Sequence, residues 1–150
     1  PYYRLKEEGA TVVLIGSGTS TKYVGKKGNY PVIVDTNINE VNSNDFDALI
    51  IPGGWAPDNL RRHQKIIDFT KEMFTQNKPV AAICHAGSLL VSAGVLKGKT
   101  ATCFMAIKDD MINAGINYVD EEVVVDGNLV TSRTPQDLPA FCKSIIKLLT

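Results

Sequence analysis

Two adjacent residues, Cys84 and His85, have the types and spacing for covalent chemistry on a carbonyl carbon. The thiolate form of a cysteine is the nucleophile. An imidazole beside it acts as general base, or as a cation that pairs with the thiolate. Such an imidazole needs a carboxylate to fix its tautomer, and Asp58 is the candidate. The pair Gly53-Gly54 lets backbone approach a ligand closely. If the N–H groups near Gly53, Gly54 and His85 converge beside the thiol, they form an oxyanion hole. Each residue also has a plainer reading. Free cysteine is among the most buried residue types, and Asp58 suits the first turn of a helix, where a carboxylate favours the dipole. The other histidine, His63, reads as a solvated helix position. Cys103 and Cys142 fit core positions on a strand and a helix and receive no chemistry.

The elements around these residues must hold them in place. Val80 to Ile83 is a continuously apolar run after Lys78-Pro79, as expected of a parallel strand covered on both faces. Ala86-Gly87 follows, and a helical pattern begins at Ser88. Cys84 therefore falls where a strand turns sharply into a helix, the layout of a nucleophile elbow. The helix N-terminus beyond it would favour a thiolate.

Asp47 to Ile51 reads as a second buried strand, ended by Pro52-Gly53-Gly54. From Asp58 to Gln76, Leu60, Ile66, Ile67, Phe69, Met73 and Phe74 share one side of a helix. Pro1 to Glu8 reads as the back end of a helix capped by Gly9, Thr11 to Ile15 as a β-branched strand, and Tyr23 to Val34 as a small hairpin about Gly25–Gly28. The loop Gly16 to Thr21 has no helix after it, which disfavours phosphate binding. Asn39 to Asp45 reads as one helical turn. Thr100 to Phe104 is expected as a strand, Lys108 to Ala114 as a helix, and Glu122 to Ser132 as a hairpin about Asp126-Gly127. Gln136 to Leu149 closes the chain as a helix with Leu138, Phe141, Ile145, Ile146 and Leu149 on its buried face. Strands alternating with helices give an α/β doubly wound sandwich with a mostly parallel central sheet.

Composition removes several classes. The chain has 150 residues, enough for one domain with a real core. Lys plus Arg and Asp plus Glu are 16 each, so there is no electrostatic case for nucleic acid or an anionic membrane. No apolar run approaches the roughly 20 residues of a membrane span. Three cysteines without C-x-x-C spacing argue against a disulfide framework or a zinc site and for a reducing, cytoplasmic setting. No metal or cofactor is expected.

Several segments resemble the PfpI-type intracellular proteases and deglycases of the ThiJ/PfpI superfamily. They are Pro52 to Asp58, Lys78 to His85, Ser92 to Gly98, Ile107 to Gly115 and Val123 to Asn128. The resemblance implies a flavodoxin-like fold, a Cys84–His85 pair, and an oxyanion hole that includes the Gly54 and His85 amides. It implies that the acid at Asp58 comes from a neighbouring subunit, in a dimer or a hexamer of dimers. It places Trp55, Ala86 and Phe104 at the substrate pocket. The implied activities are peptide hydrolysis, deglycation of glyoxal- or methylglyoxal-modified amino groups, and glyoxalase chemistry on small carbonyl compounds. Where the family usually has Glu, Arg and Tyr, this chain has Asp58, Trp55 and Phe104. The resemblance also implies an interior first strand and a glutamate-bearing loop that this chain lacks, so a fragment missing its N-terminal strand is expected. A glutamine amidotransferase is rejected, because no histidine follows His85. The alternative class is a non-enzymatic oxidative-stress sensor or chaperone-like stress protein, in which an accessible Cys84 is oxidised.

Overall fold

A computed structural model describes residues 1–25, 27, 28 and 30–150. Its centre is a four-stranded sheet of β5 (Leu49–Ile51), β6 (Val80–Ile83), β10 (Leu129–Ser132) and β9 (Val123–Asp126), in that spatial order. β5, β6 and β10 are parallel, with Ile51 opposite Ala82 and Ser132 opposite Ile83. β9 is antiparallel to β10 at the edge, and Asp126-Gly127 makes the turn between them.

β6 is buried throughout because side chains alternate between two covered faces. Val80 and Ala82 join Ile51, Leu129, Phe69, Met73, Leu89, Leu90 and Met111 in one core. Ala81 and Ile83 join Val130, Phe141, Ile145 and Leu5 in the other. The first core is covered by α3 (Gln64–Thr75), α4 (Gly87–Ala93) and α5 (Lys108–Asn113); the second by α1 (Tyr2–Glu7) and α6 (Leu138–Leu149). This is the expected α/β sandwich with a mostly parallel sheet.

The remaining strands form short ladders. β1 (Ile15–Gly16) runs parallel to β4 (Thr36–Asn37), and β7 (Thr100–Ala101) parallel to β8 (Asn117–Tyr118). β2 (Lys22–Val24) pairs antiparallel with β3 (Pro31–Ile33), giving the expected hairpin; Lys26 and Asn29 in its connection lie outside the described residues.

Several expectations need correction; the strand expected from Thr11 to Ile15, for one, is paired only at Ile15 and Gly16. The helix expected from Asp58 to Gln76 is two: α2 (Ala56–Leu60) ends in a turn where His63 N–H donates to Leu60 O, and α3 starts at Gln64. His63 is therefore the extended N-cap of α3, half-buried, not a solvated helix position. In α6, Leu149 is 39 % exposed, while Cys142 joins Phe141 and Ile145 in the buried set. Finally, the strand expected from Thr100 to Phe104 pairs only as far as Ala101. The chain then turns away so that the Phe104 amide donates to Cys84 O at 3.2 Å.

Candidate active site

β6 carries its last paired residue, Ile83, to the carboxyl edge of the sheet, and Cys84 is the next residue. Its φ is +63°, a left-handed conformation that non-glycine residues avoid at a cost of about 1–2 kcal/mol. The backbone then enters a single 3-10 turn, Cys84–Ala86, and continues directly into α4. The Ser88 hydroxyl donates to His85 O at 2.9 Å and the Phe104 amide to Cys84 O, so neighbouring chain holds both carbonyls of the bend. A strained, non-glycine residue at a strand-to-helix turn marks a functional constraint more often than a packing choice.

Gly53 lies against this bend. A Cβ on Gly53 would sit 2.7 Å from Cys84 Cβ, 3.0 Å from Ile83 O and 3.4 Å from Cys84 Sγ. Only a residue without a side chain fits there, so the glycine read as a close approach to a ligand is first a close approach to the thiol. Gly54 has φ +68°, which turns its peptide away from the strand direction. Gly87 packs from the other side against the end of the Met111 side chain, 2.6 Å from where its Cβ would fall, a contact that a methionine rotamer change can relieve.

Cys84 is half-buried, whereas Cys103 and Cys142 are buried free thiols. Burial, reinforced by the charge of Asp110, pushes the Cys103 thiol up to about 11. Cys103 therefore stays protonated near neutrality and suits the core role expected of it. The His85 ring stacks on Phe104 with centroids 5.1 Å apart and planes at 27°. Among the described residues the imidazole has no hydrogen-bond or ion-pair partner. Asp58 sits exposed in the first turn of α2 and does not reach His85 within the chain. Trp55 is 58 % exposed just ahead of it. Ala86, expected at the pocket, is fully buried in the core; it closes the turn and cannot line an opening.

A cavity of about 220 Å³ flanks the site on the side of Phe104 and is also lined by Met105, Tyr118, Asp120, Arg133 and Thr134. Arg133, one residue past β10, donates to Asp137 through Nε at 3.1 Å and to Asp120 through Nη1 at 2.8 Å. The Arg133 guanidinium holds the Asp137 carboxyl below its usual range. Sequence reading missed this Arg133–Asp120–Asp137 group. The Arg133/Asp137 i, i+4 spacing was visible, but the distant Asp120 was not.

Taken together, these features define an α/β sandwich with a cysteine held in a tight strand-to-helix bend at the carboxyl edge of a parallel sheet. The chain belongs to the DJ-1/PfpI family, which it matches over residues 1–148. It is 52 % identical to the deglycase PfpI of Pyrococcus furiosus over 149 residues, covering 99 % of this chain and 89 % of that protein. It is 43 % identical over 150 residues to protein/nucleic acid deglycase 2 of Escherichia coli, covering 99 % and 87 %. Among solved structures, a two-domain protein of Anabaena variabilis with DJ-1/ThiJ/PfpI-like and ferritin-like domains superposes with a TM-score of 0.96 at 46 % identity. The match covers 99 % of this chain and 43 % of that one, so this chain spans less than half of its length.

Proposed function

We propose that this chain is a thiol-dependent enzyme that attacks electrophilic carbonyl carbons, as a deglycase of modified amino groups or a glyoxalase-like or peptide-cleaving relative. The observation that carries this reading is Cys84 at φ +63° with His85 beside it and Gly53 packed against its sulfur. His85 takes the thiol proton as Cys84 adds to the carbonyl carbon, and the oxygen becomes an oxyanion. The amides of Gly53, Gly54 and His85 are the donors for that charge, and the loss of one such donor costs about 3 kcal/mol of transition-state stabilisation. On an amide, His85 then gives its proton to the departing amine as the C–N bond breaks, and water hydrolyses the acyl–sulfur bond. On the aldehyde or ketone of a small carbonyl or glycated amine, the adduct is a thiohemiacetal or thiohemiketal, and His85 returns its proton to the oxyanion. The cavity beside Phe104 accommodates the remainder of a small substrate. The names of the deglycase relatives support deglycation over peptide hydrolysis, with glycated proteins or nucleic acids as the substrate class. The expectation that nucleic acid is no partner rested on net charge alone, which says nothing about a modified base.

His85 takes its acid from Asp58 of a neighbouring subunit in this reading. Support comes from the exposed position of Asp58 at the start of α2 and the unpaired imidazole of His85 among the described residues. A mixing experiment tests it. Cys84→Ser and Asp58→Ala proteins are each expected to be inactive on methylglyoxal-modified amines. Dissociated and reassociated together, they form mixed pairs with one intact site, and about a quarter of wild-type activity returns in a symmetric dimer. A mixture as dead as its parents removes the shared site. Full carbonyl turnover by His85→Ala would remove His85 as the base, and no turnover by the wild-type assembly would leave the stress-sensor class.

The same reading includes one PfpI-like domain with a further strand between β1 and β5. Leu49 N–H donates to Pro79 O on the β6 side, so the Ile50 amide points to the other edge, where the described residues provide no ladder. Leu14 and Gly16 carbonyls face β4, which turns the Val13 and Ile15 amides the opposite way. Open parallel edges with half-buried apolar side chains on both borders suit an inserted strand. Hydrogen exchange on the purified assembly should show the Ile50 and Val13 amides protected. Fast exchange at both positions would rule the extra strand out.

A further inference from the structure

At the amino edge of the sheet, a strand's length from Cys84, lies a cleft of about 480 Å³ lined by Lys71, Phe74, Thr75, Asn77, Gly94, Val95, Lys97, Lys99 and Asn128. Three of its lining residues are lysines and none is acidic. Lys71 and Lys97 are exposed and carry no ion pair among the described residues. Lys99 alone has a carboxylate nearby, Asp126 at 3.5 Å, and that carboxylate already accepts the Thr100 amide at 2.7 Å.

Several carbonyls at the two helix ends that frame the cleft are covered by groups other than the lysines. At the end of α3, Phe74 O accepts from Asn77 N–H and from Asn128 Nδ2, and Met73 O from Lys78 N–H. At the end of α4, Val91 O and Leu90 O accept from Gly94 and Val95 N–H. These carbonyls, of the kind that lysines at a helix end commonly cover, already have partners. What remains is a concave surface with three ammonium groups against one shared carboxylate, on a chain whose formal net charge is zero. Clefts lined by one sign of charge focus their field and concentrate counter-charged ligands. Ammonium groups on flexible stems serve as point charges for phosphate. Lys99 Nζ sits over the Phe74 ring, 5.6 Å from its centroid, so that face is occupied and the cleft offers charge rather than a stacking platform.

We propose that this cleft is a second, non-catalytic site that binds a diphosphate group, with Lys71, Lys97 and Lys99 as its ligands. The group can be free pyrophosphate or the tail of a nucleoside diphosphate. This site is independent of the chemistry proposed for Cys84.

Calorimetric titration of the whole protein with pyrophosphate, ADP and AMP, at about 20 mM salt where screening is weak, tests it. Pyrophosphate and ADP are expected to bind, AMP at least several-fold more weakly, and all binding should fall steeply in high salt. Equal affinities for pyrophosphate and ADP identify a free diphosphate site, and a clear preference for ADP identifies a nucleotide. Lys71→Ala and Lys97→Ala should each weaken binding by about five-fold, Lys97→Arg should largely restore it, and the melting temperature without ligand should not move. The proposal is overturned if neither diphosphate gives heat, if AMP binds as tightly as ADP, or if the double Lys71→Ala/Lys97→Ala protein binds like wild type.

Discussion

Cys84→Ser is expected to leave the fold intact and to remove carbonyl turnover, by a factor on the order of 10³ or more. A hydroxyl replaces the thiol at the same left-handed position, so the packing of Gly53 and the Phe104 amide bond to residue 84 O survive. What is lost is the sulfur whose thiolate form is the nucleophile. A companion variant separates site from scaffold. At φ +63° the native cysteine carries left-handed strain that glycine does not. Cys84→Gly should therefore be inactive and more stable, by about 1 kcal/mol before any cavity cost. Thermal or urea unfolding of wild type, Cys84→Ser and Cys84→Gly, beside an assay with methylglyoxal-modified amines, checks both halves. A Cys84→Gly protein less stable than wild type would mean that the packing lost with the side chain outweighs the strain relieved. Activity retained by Cys84→Ser would place the chemistry on another residue.

The elbow was legible in the sequence because its signals are local. The apolar run Val80 to Ile83, the small pair Ala86-Gly87 and the helical pattern after them specify a strand, a tight turn and a helix without distant help. The sandwich followed from β6, since four consecutive buried positions require cover on both faces. Short parallel ladders were less legible. Thr100 to Phe104 has strand-like composition, but only Thr100 and Ala101 find a partner, in Asn117 and Tyr118, and their pairing depends on where α5 delivers the chain. The break between α2 and α3 was hidden because Leu60, Ile66, Phe69 and Met73 keep one apolar side across it, and apolar pattern does not report the three residues of turn. Site contacts divide in the same way. Cys84 and His85 are neighbours in sequence and could be named. The stacking of Phe104 on His85 depends on the chain turning back after Ala101. Asp58 could be assigned a helix start from local pattern, and it occupies one. Asp58 could also be named as the candidate carboxylate for His85, whereas its origin in a neighbouring subunit came only from family resemblance and remains part of the proposed reading.

The second large effect concerns a residue that takes no part in bond making. Gly53→Ala should lower turnover by about 100-fold, with a smaller loss of stability. The added methyl would lie 2.7 Å from Cys84 Cβ and 3.0 Å from Ile83 O. The first contact is to the root of the nucleophile and the second to backbone, so neither side relieves the clash by a rotamer change. Ile83 is locked in the ladder opposite Ser132, and its side chain is packed with Val130 and Phe141. The loop Pro52 to Trp55 has no ladder on either side and must give way. Its shift moves the Gly53 and Gly54 amides away from the atom that Cys84 attacks. Misplacement by about 1 Å typically costs 100-fold in rate, while overpacking at such a contact costs about 1–3 kcal/mol of stability. The expected pattern is therefore a kcat far below wild type, a Cys84 that still reacts with small alkylating reagents, and a modest drop in unfolding temperature. If kcat is preserved, Gly53 is only a spacer beside the thiol, and the oxyanion donors lie elsewhere.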